Sequence, residues 1–273
     1  VINKKDISDL LYSPFGKALL VNPGTCSHPD TFVRKCPVVD IYTPAEKVLE
    51  LYNMAEKPVG VLFVKNMQYE GFLTPEALLR IFYERNVRVA RDQNPLSKLP
   101  GNMLVHEYVS KALRQPQLSH VLVYFDMTDF KPFNDKYGFR VGDRALILFS
   151  EILKKECHAQ HLFIGHIGGD DFFLAFEGYD FKDAQPIVQK ILKRFCSEAE
   201  SLYPPEDRKK GHIIAKSRKG EKRRFSLLSV RAGAVELKKG ADRPSYEKFM
   251  RLMAELKTKA KFEESNIALA TFS

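Results

Sequence analysis

The chain has 273 residues, 44% of them hydrophobic, and its 43 lysines and arginines exceed its 34 acidic residues to give a formal net charge of +9. This length and apolar content suffice for one large domain or two modest domains with buried cores. The sequence has no apolar run of about 18 residues, so it predicts no membrane-spanning helix. Its four cysteines form no CxxC pair and indicate neither a zinc site nor a disulfide framework. Because the first residue is Val1, we expect a fragment of a longer protein.

Residues 1–90 predict a first α/β module. A helix is expected within residues 1–20, before the helix-breaking Pro23-Gly24. The next elements are predicted in the order strand, helix, strand, strand and helix, at residues 36–41, 45–54, 59–64, 70–73 and 76–84. Thr43 is the expected N-cap of the helix at 45–54, with Pro44 at its first position.

The joint between the last predicted strand and helix of this module, residues 71–76, reads GFLTPE and resembles a CBS motif. The resemblance implies that Thr74 and Glu76 face the ribose of an adenine nucleotide, and that Val1–Leu20 is the tail of a preceding CBS motif. A plain helix cap explains Thr-Pro-Glu equally, since this is good chemistry for a helix N-terminus.

Residues 91–273 predict a second domain, which opens with a turn rich in proline and glycine at 94–102. Helices are predicted at 103–114, 143–157, 181–199 and 245–262, and strands at 120–125, on both sides of Gly168-Gly169, and at 225–235. This order favours an α+β fold of the ferredoxin-like, nucleotidyl-cyclase type, with an antiparallel sheet and helices on one face.

Two apolar strands of this domain run into acidic and glycine residues. Residues 125–138 read FDMTDFKPFNDKYG, with Gly142-Asp143 close behind, and residues 168–172 read GGDDF. Together with the turn at 94–102 and Ala260-Lys261, these motifs resemble the GGDEF (diguanylate cyclase) family in order and spacing. The domain order fits bacterial EAL–CBS–GGDEF signalling proteins, which implies a cytoplasmic bacterial protein with an EAL domain before Val1.

The resemblance implies a reaction that joins two GTP molecules into cyclic di-GMP across a homodimer. Divalent metal, Mg²⁺ or Mn²⁺, would stabilise the developing charge. The implied metal ligands are Asp126, the backbone of Met127, Asp170 and Asp171. The implied catalytic residues are Asp170, Asp171 and Lys261. The implied substrate-binding residues are Phe130 and Lys131, in a loop that cradles phosphate, Asn134 and Asp143, which read guanine, and Gly168 and Gly169, which let the backbone pass the triphosphate.

Several positions depart from the family pattern. Thr128 stands where a second carboxylate is usual, Asp171 is one methylene shorter than the usual Glu, and Arg231 begins Arg-Ala-Gly in place of Ser-Ile-Gly. The family's Gly-Arg-Asn is Glu264-Ser265-Asn266. Three hypotheses stay open: a slow or degenerate cyclase, an inactive GTP-binding domain that controls an attached EAL phosphodiesterase domain, and a dimerisation or interaction module. Whether the chain is an enzyme is therefore not decided by its sequence.

Most of the excess positive charge lies at residues 205–224, which hold nine lysines and arginines against three acidic residues. We expect this stretch to form an inserted ribbon, named here the basic ribbon. A solvated hairpin, a surface that docks an acidic partner domain, and a surface for nucleic acid or anionic lipid are all compatible with it. Only Tyr203 and Phe225 flank it, so no interleaved aromatic platform favours nucleic acid.

Overall fold

The computed structural model describes residues 36–56, 58–158, 162–216 and 221–273. The chain divides into two compact units, with the division between Arg88 and Val89. The predicted helix within residues 1–20 and the proposed CBS tail at Val1–Leu20 lie outside the described residues.

The first unit contains a sheet of three strands, β1 (Val38–Asp40), β2 (Val61–Lys65) and β3 (Gln68–Leu73), in that order. Strand β1 pairs with β2 in parallel, and β2 pairs with β3 in antiparallel fashion. Helix α1 (Ala45–Met54) follows β1, and helix α2 (Pro75–Asp92) follows β3. A small apolar core joins the strands to both helices through Val39, Val48, Val61 and Leu78.

The expected cap of α1 is wrong. Pro44 directly precedes the first helical residue, and no side chain accepts a capping hydrogen bond there. The Thr43 N–H donates instead to the Asp40 carbonyl at 2.9 Å, so Thr43 belongs to the turn that leaves β1.

The second unit contains a five-stranded sheet and a separate two-stranded ribbon. Its strands are β4 (His120–Thr128), β5 (Phe163–Gly168), β6 (Asp171–Glu177), β7 (His212–Lys216), β8 (Lys222–Ser226), β9 (Ser229–Leu237) and β10 (Ile267–Phe272). Its helices are α3 (Asn102–Leu113), α4 (Phe130–Tyr137), α5 (Phe139–Cys157), α6 (Phe181–Ala199), α7 (Pro205–Lys210) and α8 (Tyr246–Lys259), with short 3₁₀ turns at Glu200–Leu202 and Ala260–Phe262.

The five-stranded sheet has the order β10-β9-β4-β6-β5. Strand β4 lies in the middle and is antiparallel to both β6 and β9. The expectation of a purely antiparallel sheet is wrong, because β10 pairs with β9 in parallel. Sequence reasoning did not predict β10, which returns to the sheet after α8.

Helices cover both faces of this sheet, so the expectation of helices on one face is also wrong. Helices α5 and α6 bury Phe149 and Phe195 against one face. Helices α3 and α8 bury Val109 and Phe249 against the other. The physical reason lies in β4, whose residues from Val121 to Phe125 are apolar and buried on both faces, as in sheets covered on two sides.

Two local expectations need correction. Phe130 and Lys131 begin helix α4 and not a loop; Phe133, one turn on, is fully buried and anchors this helix to the core. The single strand predicted at 225–235 is two strands, β8 and β9. Between β8 and β9 the chain turns away from the ribbon, and there the buried Leu228 N–H donates to the Tyr203 hydroxyl at 2.7 Å.

The expected ribbon is confirmed in part: β7 and β8 form a two-stranded antiparallel pair, whereas the start of the basic ribbon, Pro205–Lys210, is helix α7. Ile213 is buried in the main core, whereas Arg223 and Arg224 are exposed.

None of the helices in the described ranges combines the length and the apolar character that a membrane-spanning segment needs.

Candidate functional site

The centre of the candidate site is Asp126, near the end of the middle strand β4. Strand register places Asp171 of β6 opposite it on one side and Arg231 of β9 opposite it on the other. Directly opposed residues on neighbouring strands share a face, with Cβ atoms about 4.5–5.5 Å apart. The three charged side chains therefore stand in one row, on the sheet face that α3 and α8 cover.

Lys257 of helix α8 completes this row. Strand β9 has Gly233 where α8 crosses it, and a Cβ there would lie 3.1 Å from the Leu256 Cβ and 3.2 Å from the Lys257 nitrogen. The absence of a side chain at Gly233 thus lets the helix backbone approach the sheet closely. Lys257 Nζ contacts Asp171 Oδ1 and lies 3.3 Å from Asp126 Oδ1.

These four residues form one ion-pair network, named here the central network. Arg231 donates to Asp126 Oδ2 at 2.9 Å, so both carboxylate oxygens of Asp126 face a cation. Burial alone would lower the pKa of Lys257, but the carboxylates of Asp171 and Asp126 together raise it. Lys257 is therefore a persistent cation at neutral pH.

Asp170 lies beside this network in a different environment. Burial, reinforced by the negative charges of Asp126 and Asp171, raises the pKa of Asp170 above its ordinary value. Asp170 therefore takes up a proton more readily than an ordinary, solvent-exposed aspartate does.

A cavity of about 810 Å³ opens in front of the central network. Its volume lies within the range typical of small-molecule sites, about 300–1,000 Å³. Its charged lining is balanced, with four acidic and four basic side chains. They are Asp126, Asp129, Asp135, Asp170, Lys131, Arg231, Lys257 and Lys261.

Asn134 forms one wall of this cavity, and its side-chain oxygen is buried without a hydrogen-bond partner. The side chain of Asn134 packs against Gly142 of α5, where an added Cβ would lie 1.8 Å from Asn134 Oδ1. A buried polar atom without a partner is unusual, and it is consistent with a ligand that supplies the missing donor.

The turn between β5 and β6 carries Gly168 and Gly169, with φ angles of 155° and 56° that favour glycine. The side chain of His166 hydrogen-bonds to this turn. Its Nε2 lies 2.9 Å from the Gly169 carbonyl, its Nδ1 lies 2.9 Å from the Ser97 hydroxyl, and its ring stacks on Phe172. Burial lowers the pKa of His166, so a neutral ring that donates from Nε2 and accepts at Nδ1 satisfies both contacts.

The structure brings together most of the residues predicted for this site. The predicted residues that line the cavity are Asp126, Met127, Phe130, Lys131, Asn134, Asp170 and Lys261. Asp171 reaches the site through Lys257. Three other predicted residues, Gly168, Gly169 and Asp143, are not among the described residues that line the cavity. Asp143 is exposed on α5.

The residues predicted for an adenine nucleotide in the first unit are both exposed. The Thr74 hydroxyl accepts the Ala77 N–H at 3.3 Å, which is the helix-cap alternative. The role of Glu76 in a ligand site stays a prediction.

Sequence reasoning missed Lys257 and left Arg231 out of the site. Lys257 lies one helical turn before Lys261, and residues four apart share a helix face, so the predicted role of Lys261 already pointed to it. Arg231 stands within the apolar strand sequence SVRAGAVEL and is 8% exposed. A buried arginine requires an anionic partner, and that requirement was the available signal.

The residues as arranged do not fit the metal that GGDEF cyclases typically use. A Mg²⁺ ion needs carboxylate oxygens in near-ideal octahedral geometry at about 2.0–2.1 Å. Both oxygens of Asp126 and one oxygen of Asp171 are instead engaged by Arg231 and Lys257. Among the described residues, no group of three or more His, Cys, Asp or Glu side chains is arranged to hold a metal ion.

Residues 91–209 match the family model described as "Diguanylate cyclase, GGDEF domain". This segment is therefore a GGDEF domain, the domain class of diguanylate cyclases and cyclic di-GMP signalling. It contains strands β4–β6, while strand β9 and helix α8, which supply Arg231 and Lys257, lie beyond its end.

Two curated proteins are similar to part of the chain. The bifunctional diguanylate cyclase/cyclic di-GMP phosphodiesterase MucR of Pseudomonas aeruginosa is 33% identical over 102 residues, which cover 36% of this chain and 15% of that protein. A diguanylate cyclase of Vibrio cholerae is 31% identical over 87 residues, which cover 32% of this chain and 26% of that protein. The chain thus matches only a small part of the length of these relatives.

Among solved structures, the coiled coil and GGDEF domain of DgcB from Caulobacter crescentus, in complex with c-di-GMP, superposes with a TM-score of 0.52. The superposition covers 71% of this chain and 94% of that one, at 18% identity. At this identity the likeness shows the fold alone: an α+β GGDEF fold.

Proposed function

We propose that the second unit is a guanine-nucleotide-binding regulatory domain of a cyclic di-GMP signalling protein, and that it binds GTP with little or no turnover. One observation carries this proposal: a ligand-sized cavity is lined by a group of lysines and by Asn134, whose side-chain oxygen is buried without a hydrogen-bond partner. The amide is suited to a nucleobase, and the lysines are suited to phosphates.

The nucleobase end of the proposed site is Asn134. The guanine edge offers N1–H and N2–H₂ as donors, and the buried Asn134 oxygen is an acceptor that has no partner in the protein. The predicted role of Asp143 as a second acceptor requires its exposed carboxylate to turn toward the base.

The phosphate end consists of Lys131 at the start of α4 and Lys261 beyond the end of α8, both exposed and both on the cavity wall. The first amides of a helix lack intrahelical partners, and with the helix dipole they favour anions. Phosphate at the start of α4 would contact backbone N–H groups of Phe130 and Lys131 together with the lysine side chains.

The arrangement supports binding better than turnover. The central network leaves Asp126 and Asp171 engaged by Arg231 and Lys257, so neither carboxylate is poised to hold a metal at the reacting phosphate. No step of this proposal passes through a metal ion, and the predicted Mg²⁺ or Mn²⁺ ligands stay a prediction.

A slow diguanylate cyclase is the second candidate. The observation in its favour is the register that places Asp171 opposite Asp126, with Asp170 in the adjoining turn. This reading requires Lys257 to leave the carboxylates. It also requires two copies of the chain to face each other, since the reaction joins two GTP molecules.

The wider architecture remains a proposal from the sequence. It comprises a CBS-like module at residues 1–90, a GGDEF-like domain at 91–273, an attached EAL domain as the regulated partner, and a homodimer if turnover occurs. GGDEF and EAL domains do occur together in another protein, Vibrio cholerae LapD, whose S helix–GGDEF–EAL region has been solved bound to c-di-GMP.

The test is calorimetric titration of GTP into the chain, with ATP as the nucleobase control and chromatography of the same samples for cyclic di-GMP. We expect GTP to bind, ATP to bind more weakly, and no cyclic di-GMP to accumulate. Asn134→Ala should weaken GTP and leave ATP nearly unchanged, whereas Lys261→Ala should weaken both. Accumulation of cyclic di-GMP would establish the cyclase, and equal affinity for GTP and ATP would refute the guanine role of Asn134.

A further inference from the structure

Two resident cations occupy the carboxylates at the centre of the proposed site. Arg231 Nη2 lies 2.9 Å from Asp126 Oδ2, and Lys257 Nζ contacts Asp171 and lies 3.3 Å from Asp126 Oδ1. Two positive side chains thus face two carboxylates within one network.

The fold fixes Arg231 in this position. It is directly opposite Asp126 in the β4–β9 register, and only 9% of its side chain is exposed. A buried guanidinium that lost its carboxylate would be left as an uncompensated charge, which is strongly unfavourable. Arg231 therefore cannot leave Asp126 without disturbing the sheet.

The fold also constrains Lys257. Gly233 lets α8 lie close to β9, and the contact occurs at the backbone nitrogen of Lys257 itself. The side chain is 24% exposed and reaches both carboxylates from this position. A Lys257 moved to solvent would leave Asp171 without the cation that contacts it.

A divalent cation would have to compete with both side chains for the same oxygens. Like charges a few ångströms apart repel each other, and the repulsion is strongest away from bulk water. Mg²⁺ also gives up its own waters reluctantly. Arg231 and Lys257 thus already compensate the negative charge of Asp126 and Asp171 in the absence of a metal ion.

We propose that Arg231 and Lys257 take the place of divalent cations at this site, so that the site excludes metal and holds its phosphate ligand without it. The first half concerns the protein alone, and the second half rests on the proposed GTP binding. In a nucleotide complex, the two cations would provide near the phosphates the positive charge that a metal otherwise supplies.

The first experiment measures Mn²⁺ binding by electron paramagnetic resonance, in the absence of nucleotide. We expect the wild-type chain to bind no Mn²⁺ through Asp126. The Asp126→Asn variant should therefore give the same Mn²⁺ signal as the wild type. The double variant Arg231→Ser/Lys257→Leu should bind Mn²⁺ at least about tenfold more tightly than the wild type. The matched control Lys248→Leu/Arg251→Ser removes the same two charges from exposed positions on α8 and should leave Mn²⁺ binding unchanged.

Circular dichroism melting shows whether the double variant folds. If it does not, Lys257→Leu alone replaces it, because Arg231 then still pairs with Asp126 Oδ2, while Asp171 and Asp126 Oδ1 lose their contact with Lys257. This single variant should also bind Mn²⁺ more tightly than the wild type, and a folded Lys257→Leu that gains no binding would overturn the proposal. A wild-type chain whose Mn²⁺ binding is lost in Asp126→Asn would overturn the proposal, as would a folded double variant that gains no binding.

The second experiment compares GTP titrations in EDTA and in excess Mg²⁺. We expect affinities that agree within about threefold. Binding that requires Mg²⁺ would overturn the inference and leave the proposed function standing. If GTP binds under neither condition, the proposed function fails, while the Mn²⁺ measurements still decide whether the cations exclude metal.

Discussion

The contact between Asn134 and Gly142 gives the sharpest test of how this site is built. A Cβ added at Gly142 would lie 1.8 Å from Asn134 Oδ1, whereas real Cβ contacts essentially never fall below 3.0 Å. Gly142→Ala must therefore displace the Asn134 side chain or push α4 away from α5. Overpacking of this kind costs about 1–3 kcal/mol. Alanine in place of glycine inside a helix returns about 0.5–1 kcal/mol, so we expect a net loss of up to about 2.5 kcal/mol.

The effect of Gly142→Ala on the free energy of unfolding should change sign when the Asn134 side chain is truncated. In an Asn134→Ala background, Gly142→Ala meets no side-chain oxygen and keeps only the gain in helix propensity, so it should stabilise the chain by about 0.5–1 kcal/mol. The coupling between the two positions is then about 1–3 kcal/mol, well above the error of additivity between independent sites.

Urea unfolding of the four chains, followed by circular dichroism, measures this cycle. The sequence contains no tryptophan, so the far-ultraviolet signal is the appropriate probe. Equal effects of Gly142→Ala in both backgrounds would refute the packing argument. GTP titration of the same chains adds a functional reading: Gly142→Ala should weaken GTP about as much as Asn134→Ala does, and the double variant should be no weaker than either.

Three further outcomes are expected. Burial lowers the pKa of His166 and His120 from 6.5. Below about pH 6.5 the unfolded chain therefore binds protons that the folded chain does not, and the free energy of unfolding should fall from pH 7 to 5. A urea midpoint that rises on acidification would contradict this. Tyr203→Phe leaves the buried Leu228 N–H without its acceptor and should cost about 1–3 kcal/mol by urea unfolding; an unchanged midpoint would show that another acceptor replaces the hydroxyl. Gly169→Ala, at a φ of 56°, should cost about 1–2 kcal/mol, and a neutral result in thermal melting would mean that the turn adopts another conformation.

The elements that could be predicted from the sequence are those with a strong local pattern. Helix α6 begins and ends at the predicted residues, because its apolar positions recur with helical period between Asp180 and Glu200. The motif carboxylates likewise lie where apolar strands end. Local pattern and tertiary structure agree at these points.

The missing parts depend on contacts that are distant in sequence. Strand β10 is recognisable only through its parallel pairing with β9, and helix α4 is eight residues long and depends on the burial of Phe133. In the same way, Lys257 and Arg231 belong to the site because a helix and a strand from the last quarter of the chain meet β4. No local window of sequence contains that information, although a charged residue inside an apolar strand signals an unseen partner.

The pairing of β4 with β9 has a consequence for synthesis of the chain. The ion pair between Asp126 and Arg231 joins residues 105 positions apart, so the middle strand lacks one neighbour until most of the domain has left the ribosome. Contacts so distant in sequence form late and slowly, and until then β4 and β6 expose an open edge to other chains. A fragment that stops at residue 209, where the family match ends, would keep that edge permanently, so we expect it to aggregate where the chain extended to β10 stays dispersed.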